Sequence, residues 1–276
     1  MLQGGIDSIS EKEFRQLTGF IKEHYGINLG NEKKALVVSR LFSVLANNNF
    51  DSFSEYFNYI VSDTTGDAVV MLLNKITTNH TFFMREPEHF IYFRDKILPD
   101  LTPKLPDKDL RVWSAGCSTG EEPYTLAMIM DEYFGMEKGI WNKKVLATDI
   151  SLNVLNTAKK CEYSDEQMSA LPKNWKLGYF KKNSNDKYRL VDRIRNEVIY
   201  RKFNLMDEIF PFKKRFHVIF CRNVMIYFDK NTRQKLVDKF YEFTEPGGYL
   251  FIGHSESLNQ IKTDFKYMTP AAYRKG

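Results

Sequence analysis

The sequence predicts an α/β protein: a doubly wound parallel sheet, preceded by a small N-terminal all-helical domain and interrupted by a small antiparallel β insertion. Three observations predict it. The first 76 residues hold four amphipathic helical segments and no strand pattern. After Pro99, short apolar runs alternate with helical stretches, the pattern of a parallel sheet with crossover helices. Between the second and third of these runs lies a polar, basic stretch that reads as a hairpin.

In chain order, Ser10 and Glu13 have capping-box spacing, and Phe14, Leu17, Ile21 and Tyr25 follow on a helical period. GINLGN breaks that pattern before a second helix over 32–46, which ends at Asn47-Asn48-Asn49. Ser52 and Glu55 repeat the capping-box spacing, and a fourth helix over 67–76 carries Val69, Val70, Leu72, Leu73 and Ile76. LRVWSAG (110–116), KVLATDI (144–150), HVIFCRN (217–223) and YLFIGHS (249–255) read as buried strands. Helices are expected near 122–134, after Ser151 and near 231–243. The domain expectation is 1–77 helical, 78–99 linker and cofactor-covering segment, and 100–276 for the sheet domain, with the insertion at about 172–203.

Composition narrows the function classes. Hydrophobic residues make up 43% and charged residues 27%, which suits a globular protein with a proper core. The opening MLQGGIDSISEKEF has no basic start followed by an apolar run, and no apolar stretch is long enough to cross a bilayer, so a cytoplasmic protein without membrane insertion is expected. Three scattered cysteines, Cys117, Cys161 and Cys221, give neither a disulfide framework nor a zinc spacing, and no metal is expected. The net charge is +5, unevenly spread: residues 1–88 hold eight Lys/Arg against eleven Asp/Glu, whereas residues 159–215 hold fifteen against eight. That basic segment favours an anionic partner or is a solvated face.

Ligands of an open α/β sheet bind beyond the carboxyl ends of its strands. There, Gly116 and Gly120 bracket a turn that leads into a helix, which lets backbone approach a ligand closely. The spacing is neither that of dinucleotide sites nor that of a P-loop. Glu121 and Glu122 beside the turn would repel a pyrophosphate and suit a cationic ligand such as S-adenosylmethionine, with its sulfonium and ammonium. Asp149, closing the second strand, is placed to accept ribose hydroxyls or to cap the helix that starts at Ser151. Cys117 and Cys221 lack an activating partner and read as small packing residues, and His254 reads as a lone structural histidine.

TNHTFFMRE (78–86), VWSAGCSTGEEPY (112–124), ATDI (147–150), FNL (203–205), FCRNVMIYFD (220–229) and PGGYLFIGHSE (246–256) occur in this order. Together they closely resemble the chemotaxis receptor methyltransferases, the CheR family, and the resemblance spans nearly the whole chain. It implies a Rossmann-like methyltransferase sheet, S-adenosylmethionine as cofactor with S-adenosylhomocysteine as product, and methylation of glutamate side chains on chemoreceptor cytoplasmic helical bundles. It also implies site roles. Asn79, Thr81 and Arg85 would close over the cofactor, although the first two are also good helix caps. Glu121 would lie near the methionine ammonium, and Asp149 would hold the ribose. Asn204 and Leu205 would border the adenine, and Asn223 and Val224 would complete the pocket.

A glutamate is already ionised at neutral pH, with a pKa of about 4.3, so methyl transfer to it needs no general base. Arg85 and Tyr227 are the candidates for shaping the acceptor side. The basic insertion, with Lys33, Lys34 and Arg40 on the second helix, is a candidate docking surface for an acidic receptor. Its NSND tip lacks a glycine-rich loop, which favours direct recognition of the methylation region over tethering by a receptor tail. A monomer that does not bind nucleic acid is expected. Methylation of RNA, a non-catalytic cofactor sensor and an NAD-dependent enzyme are the competing readings.

Overall fold

The computed structural model describes residues 8–77, 80–183 and 186–276. The chain divides into two compact units, one within Met1–Asn79 together with Tyr227–Asp229, the other His80–Ile226 with Lys230–Gly276.

The smaller unit is helical: α1 (Glu11–Tyr25), α2 (Lys34–Asn47), α3 (Phe53–Ser62) and α4 (Asp67–Ile76). Its first helix starts in the predicted capping box. Ser10 Oγ accepts the Glu13 N–H at 3.2 Å, while the Glu13 carboxylate accepts the Ser10 N–H at 3.0 Å. Glu13 also accepts the Ser54 N–H and hydroxyl, both at 2.9 Å, so one carboxylate joins the starts of α1 and α3. Phe14, Leu17 and Ile21 face Val37, Leu41, Tyr56, Ile60 and Leu72 in a core with exposures of 3% or less. Arg40, expected on a docking surface, instead donates to the Ile76 carbonyl at 2.6 Å, where a cation complements the open carboxyl end of α4. Tyr227–Asp229 joins this unit through backbone. The Asn28 N–H donates to the Tyr227 carbonyl at 2.7 Å, Ile27 bridges Phe228 antiparallel, and Lys22 pairs with Asp229 at 2.8 Å.

The larger unit opens with α5 (Pro87–Tyr92), a π-turn over Phe93–Ile97 and α6 (Leu98–Leu101). It then alternates β1 (Val112–Ala115), α7 (Glu121–Phe134), β2 (Val145–Asp149) and α8 (Leu152–Lys160). An excursion follows through β3 (Glu162–Tyr163), α9 (Lys173–Tyr179), β4 (Phe180–Lys182), β5 (Tyr188–Leu190) and α10 (Asp192–Arg195). The chain returns through β6 (Val198–Lys202), β7 (Phe216–Cys221), α11 (Lys230–Phe243), β8 (Thr244–Ile252), β9 (Lys266–Thr269) and β10 (Ala272–Arg274). Seven strands form one sheet in the order β6-β2-β1-β7-β8-β10-β9, the first five parallel and the last two antiparallel. Trp113 is completely buried beside Phe203, Phe212, Phe216 and Phe240, and its indole N–H reaches Thr148 Oγ1 at 2.9 Å.

The doubly wound sheet, the helical domain and the small antiparallel sheet β3-β5-β4 are therefore all present. The insertion is narrower than 172–203 at its far end. Val198–Lys202 pairs parallel with Val145–Asp149, because Val198 and Tyr200 alternate inward against the main core while Ile199 and Arg201 face out. The insertion also recruits Glu162–Tyr163, too short to show a strand period. The tip residues Ser184 and Asn185 lie outside the described residues.

Replacing Ser10 with Ala is expected to lower stability by about 1 kcal/mol. Glu13→Ala should lower it further, because it also breaks the link from α1 to Ser54 of α3. Urea unfolding followed by circular dichroism checks both, and equal losses would contradict the cross-helix role of Glu13.

Candidate functional site

From β1 the chain winds one way to β2 and β6, and from β7 the other way to β8, so β1 and β7 flank the switch point where such sheets bind ligands. The loops meet there. Gly116 has φ 81°, and any Cβ on it would lie 2.5 Å from Val224 Cγ2. The Gly116 and Cys117 N–H groups both donate to the Thr148 carbonyl, at 2.8 and 2.9 Å. Gly120, φ 96°, turns the chain into α7 against Tyr200, whose hydroxyl would stand 2.6 Å from an added Cβ.

Asp149 fastens this turn to the end of β2. Its Oδ2 accepts the Ser118 N–H at 2.9 Å and its Oδ1 the Ser151 N–H at 3.0 Å. The cap of α8 is Ser151 itself, which accepts the Val154 N–H. Burial raises the Asp149 pKa against these hydrogen bonds. The Phe203 N–H donates to the Asp149 carbonyl at 3.0 Å, which brings the half-buried Asn204 and Leu205 alongside. Asn204 Oδ1 accepts the Met206 N–H at 3.0 Å, holding that turn.

Glu121, at the start of α7, has no exposed surface. Thr119 Oγ1 donates to its carboxylate at 2.7 Å and Gln167 Nε2 at 2.8 Å. Burial raises its pKa, and no ion pair to it forms among the described residues. The Gln167 carbonyl in turn accepts the Phe83 N–H at 3.2 Å, which ties the segment carrying Thr81 and Arg85 to the same place. Both are half-buried, and Arg85 Nη1 donates to the His80 carbonyl at 2.7 Å. Asn79 lies outside the described residues.

Arg222, directly after β7, is a buried cation held by two carboxylates. Its Nη1 donates to Glu122 Oε2 at 3.0 Å, and its Nη2 to Glu86 Oε2 at 3.1 Å and to the Arg85 carbonyl. Glu122 also accepts the Ser114 hydroxyl at 2.7 Å, and Glu86 the Asn223 amide at 3.1 Å. The guanidinium lies 5.0 Å from the centre of the Phe90 ring. Glu86 is held below its ordinary pKa against the opposing pull of burial by Arg222 and Asn223. Asn223 itself has φ 59°. Its N–H and that of Ile226 are accepted by the buried Glu256, at 3.1 and 3.0 Å, which fixes the loop carrying Asn223 and Val224.

The structure thus gathers Gly116, Glu121, Asp149, Asn204, Asn223, Val224 and Arg85 around the carboxyl ends of β1, β2 and β7. Tyr227 falls in the helical unit, so the expected pairing of Arg85 with Tyr227 spans two units. Cys117 and Cys221 are buried thiols whose pKa burial pushes up, in keeping with packing residues. His254 is not alone: its ring centre lies 4.5 Å from that of the buried His89. Sequence reasoning missed Arg222, Glu86, Glu122, Gln167 and Glu256 as organising residues. One signal was available: Arg222 directly follows the largely apolar run VIFC, where a charge must be buried with partners.

Residues 79–273 match the family described as CheR methyltransferase, SAM binding domain, and residues 12–77 match CheR methyltransferase, all-alpha domain. The chain is an S-adenosylmethionine-dependent methyltransferase. It is 43% identical over 271 residues to a chemotaxis protein methyltransferase of Borreliella burgdorferi, covering 97% of this chain and 95% of the relative. The chemotaxis protein methyltransferase of Escherichia coli K12 is 33% identical over 270 residues, covering 96% and 91%. Chemotaxis protein methyltransferase 2 of Vibrio cholerae is 32% identical over 258 residues, covering 93% and 89%. The chain belongs to the CheR methyltransferase family.

Glu121 yields a test with a defined sign. Its folded-state pKa is raised, so as pH climbs past the ordinary glutamate value of 4.5 the unfolded chain loses its proton first and the native state loses relative stability. At neutral pH the cofactor-free Glu121→Gln protein should therefore melt above the wild type, with the gap closing in acid, while gaining less from added S-adenosylmethionine. Thermal melts across pH check this, and a wild type that melts higher without cofactor at neutral pH would contradict it.

Proposed function

We propose that this chain transfers the methyl group of S-adenosylmethionine to glutamate side chains on the cytoplasmic helical bundles of bacterial chemoreceptors. The observation that carries the reading is the pair Glu121 and Asp149. The buried Glu121 and the partly buried Asp149, both without an ion-pair partner among the described residues, stand at the sheet's switch point, in a chain whose relatives are named chemotaxis protein methyltransferases. Uncompensated buried acids suit a cationic ligand.

In this reading Asp149 accepts the ribose hydroxyls with lone pairs that Ser118 and Ser151 leave free. Glu121, aligned by Thr119 and Gln167, draws the positive charge of the methionine portion. Asn204 and Leu205 border the adenine, and Gly116 lets the backbone come close. Asn223 and Val224 complete the pocket, with Asn79, Thr81 and Arg85 covering it from the linker. Bound cofactor supplies an electrophilic methyl group on a sulfonium. An acceptor carboxylate oxygen forms the new bond to that carbon while the carbon–sulfur electron pair returns to sulfur, leaving a methyl ester. The acceptor is ionised at neutral pH, so the chain's task is to align it and exclude water rather than to remove a proton. Arg85 shapes that side; a tight ion pair with the acceptor would hold the ground state and gain no rate.

The insertion offers a docking face for an acidic receptor segment. Lys181, Lys182, Lys187 and Arg189 are exposed, and Lys181 lies directly across from Arg189 on the neighbouring strand. Glu162 faces Arg189 from the other side and Lys182 pairs with Asp186 at 2.8 Å, so Lys181 and Lys187 are what this face offers an anionic partner. No helix among the described residues is long and apolar enough to cross a membrane, which accords with work on the cytoplasmic parts of receptors.

Incubation with methyl-labelled S-adenosylmethionine and receptor-containing membranes tests the proposal. Mild base should release labelled methanol from the protein fraction, and Asp149→Ala should lose most of that label. Label that resists base, or label on RNA alone, would overturn it.

A further inference from the structure

Outside the cofactor pocket, one cluster of side chains remains unused by the chemistry. Glu86 precedes α5, His89 sits one turn later on the same side, and His254 follows β8, far away in sequence. Their ligand-capable atoms all lie within 4.8 Å of one another. The side chain of His89 is only 2% exposed, and the one backbone group that faces its ring is the Pro270 carbonyl, which leaves a nitrogen for a further partner. A buried imidazole nitrogen without a hydrogen bond is costly and calls for a partner, while a carbonyl on the other nitrogen would orient the ring as it does in ligating histidines. His89 Nδ1 stands 3.4 Å from Glu86 Oε2. Two ligands of one tetrahedral zinc ion, at about 2.0–2.1 Å from the metal, are separated by roughly 3.3 Å. The His254 side chain is exposed, with its ring centre 4.5 Å from that of His89 and the two imidazole planes at 83°.

We propose that Glu86, His89 and His254 form a binding site for a divalent transition metal of the zinc class. Two imidazoles and a carboxylate are a donor set that such ions take, with the remaining position open to water. The charge balance admits a cation. The neighbouring Arg222 is already matched by Glu86 and Glu122, which leaves one negative charge in excess. Asn223 and Arg222 hold the Glu86 carboxylate in place, as hydrogen bonds hold ligating carboxylates elsewhere. His89 is fixed by packing against Phe251 at 5.4 Å, so only His254 has to move.

The test uses untagged full-length protein freed of metal with a chelator, titrated with zinc by calorimetry and with cobalt by visible absorption. One saturable equivalent per chain is expected, with a tetrahedral cobalt spectrum that lacks thiolate charge-transfer bands. His254→Ala changes an exposed residue and should keep the fold while weakening zinc by about tenfold or more. His89→Gln should do the same, with circular dichroism confirming its fold. His217→Gln, a buried histidine elsewhere, should leave zinc affinity unchanged. Absence of saturable binding, thiolate bands, or zinc affinity unaffected by His254→Ala would overturn the proposal.

Discussion

The larger unit is organised around one buried cation. Arg222 leaves the end of β7 with no route to solvent and must be matched where it lies, because an unpartnered buried charge is costly by several kcal/mol. Its two carboxylates come from different places, Glu86 ahead of α5 and Glu122 in the first turn of α7. Matching it therefore fixes three segments together: the one that leads into α5, the helix behind the glycine turn, and the loop that carries Asn223 and Val224. Glu256 finishes the task by accepting the loop's backbone N–H groups, which lets Asn223 hold a left-handed conformation. A well-packed apolar trio would be as stable or more so, and the ionic version gains directionality.

The acids of the pocket contrast with that arrangement. Glu86 is paired and held low, whereas Glu121 and Asp149 are raised by burial and receive only neutral donors. The chain compensates its structural charge internally and leaves the charge of its binding site for a ligand. Shifted, unpaired acids at the mouth of a parallel sheet mark function more often than stability. In the proposed function, their residual negative potential suits a sulfonium cofactor and disfavours a pyrophosphate.

Much of this was legible in the residues. Capping boxes at Ser10 and Ser52 announced two helices, and apolar runs ending in glycine or charge announced the parallel strands, because those signals are local. Asp149 at a strand end and Gly116 at the turn were readable for the same reason. Val198–Lys202 was harder, since a basic edge strand carries polar residues on its outer face and reads like the neighbouring hairpin. The antiparallel pair β9 and β10 escaped notice because each strand is very short. The partners of Arg222 could not be read: its place after a buried strand signals that it needs some, but Glu86 stands 136 residues away and only the fold brings the two together. The contact of Arg40 with the end of α4 was illegible for a related reason, since it depends on where α4 ends.

The central claim is that a carboxylate, and not another nucleophile, receives the methyl group. Peptide mapping of receptors incubated with deuteriomethyl S-adenosylmethionine addresses it residue by residue. The account predicts heavy methyl groups on glutamate side chains, removed by mild alkali. Heavy methyl on lysine, cysteine or a nucleotide, stable to the same treatment, would contradict it.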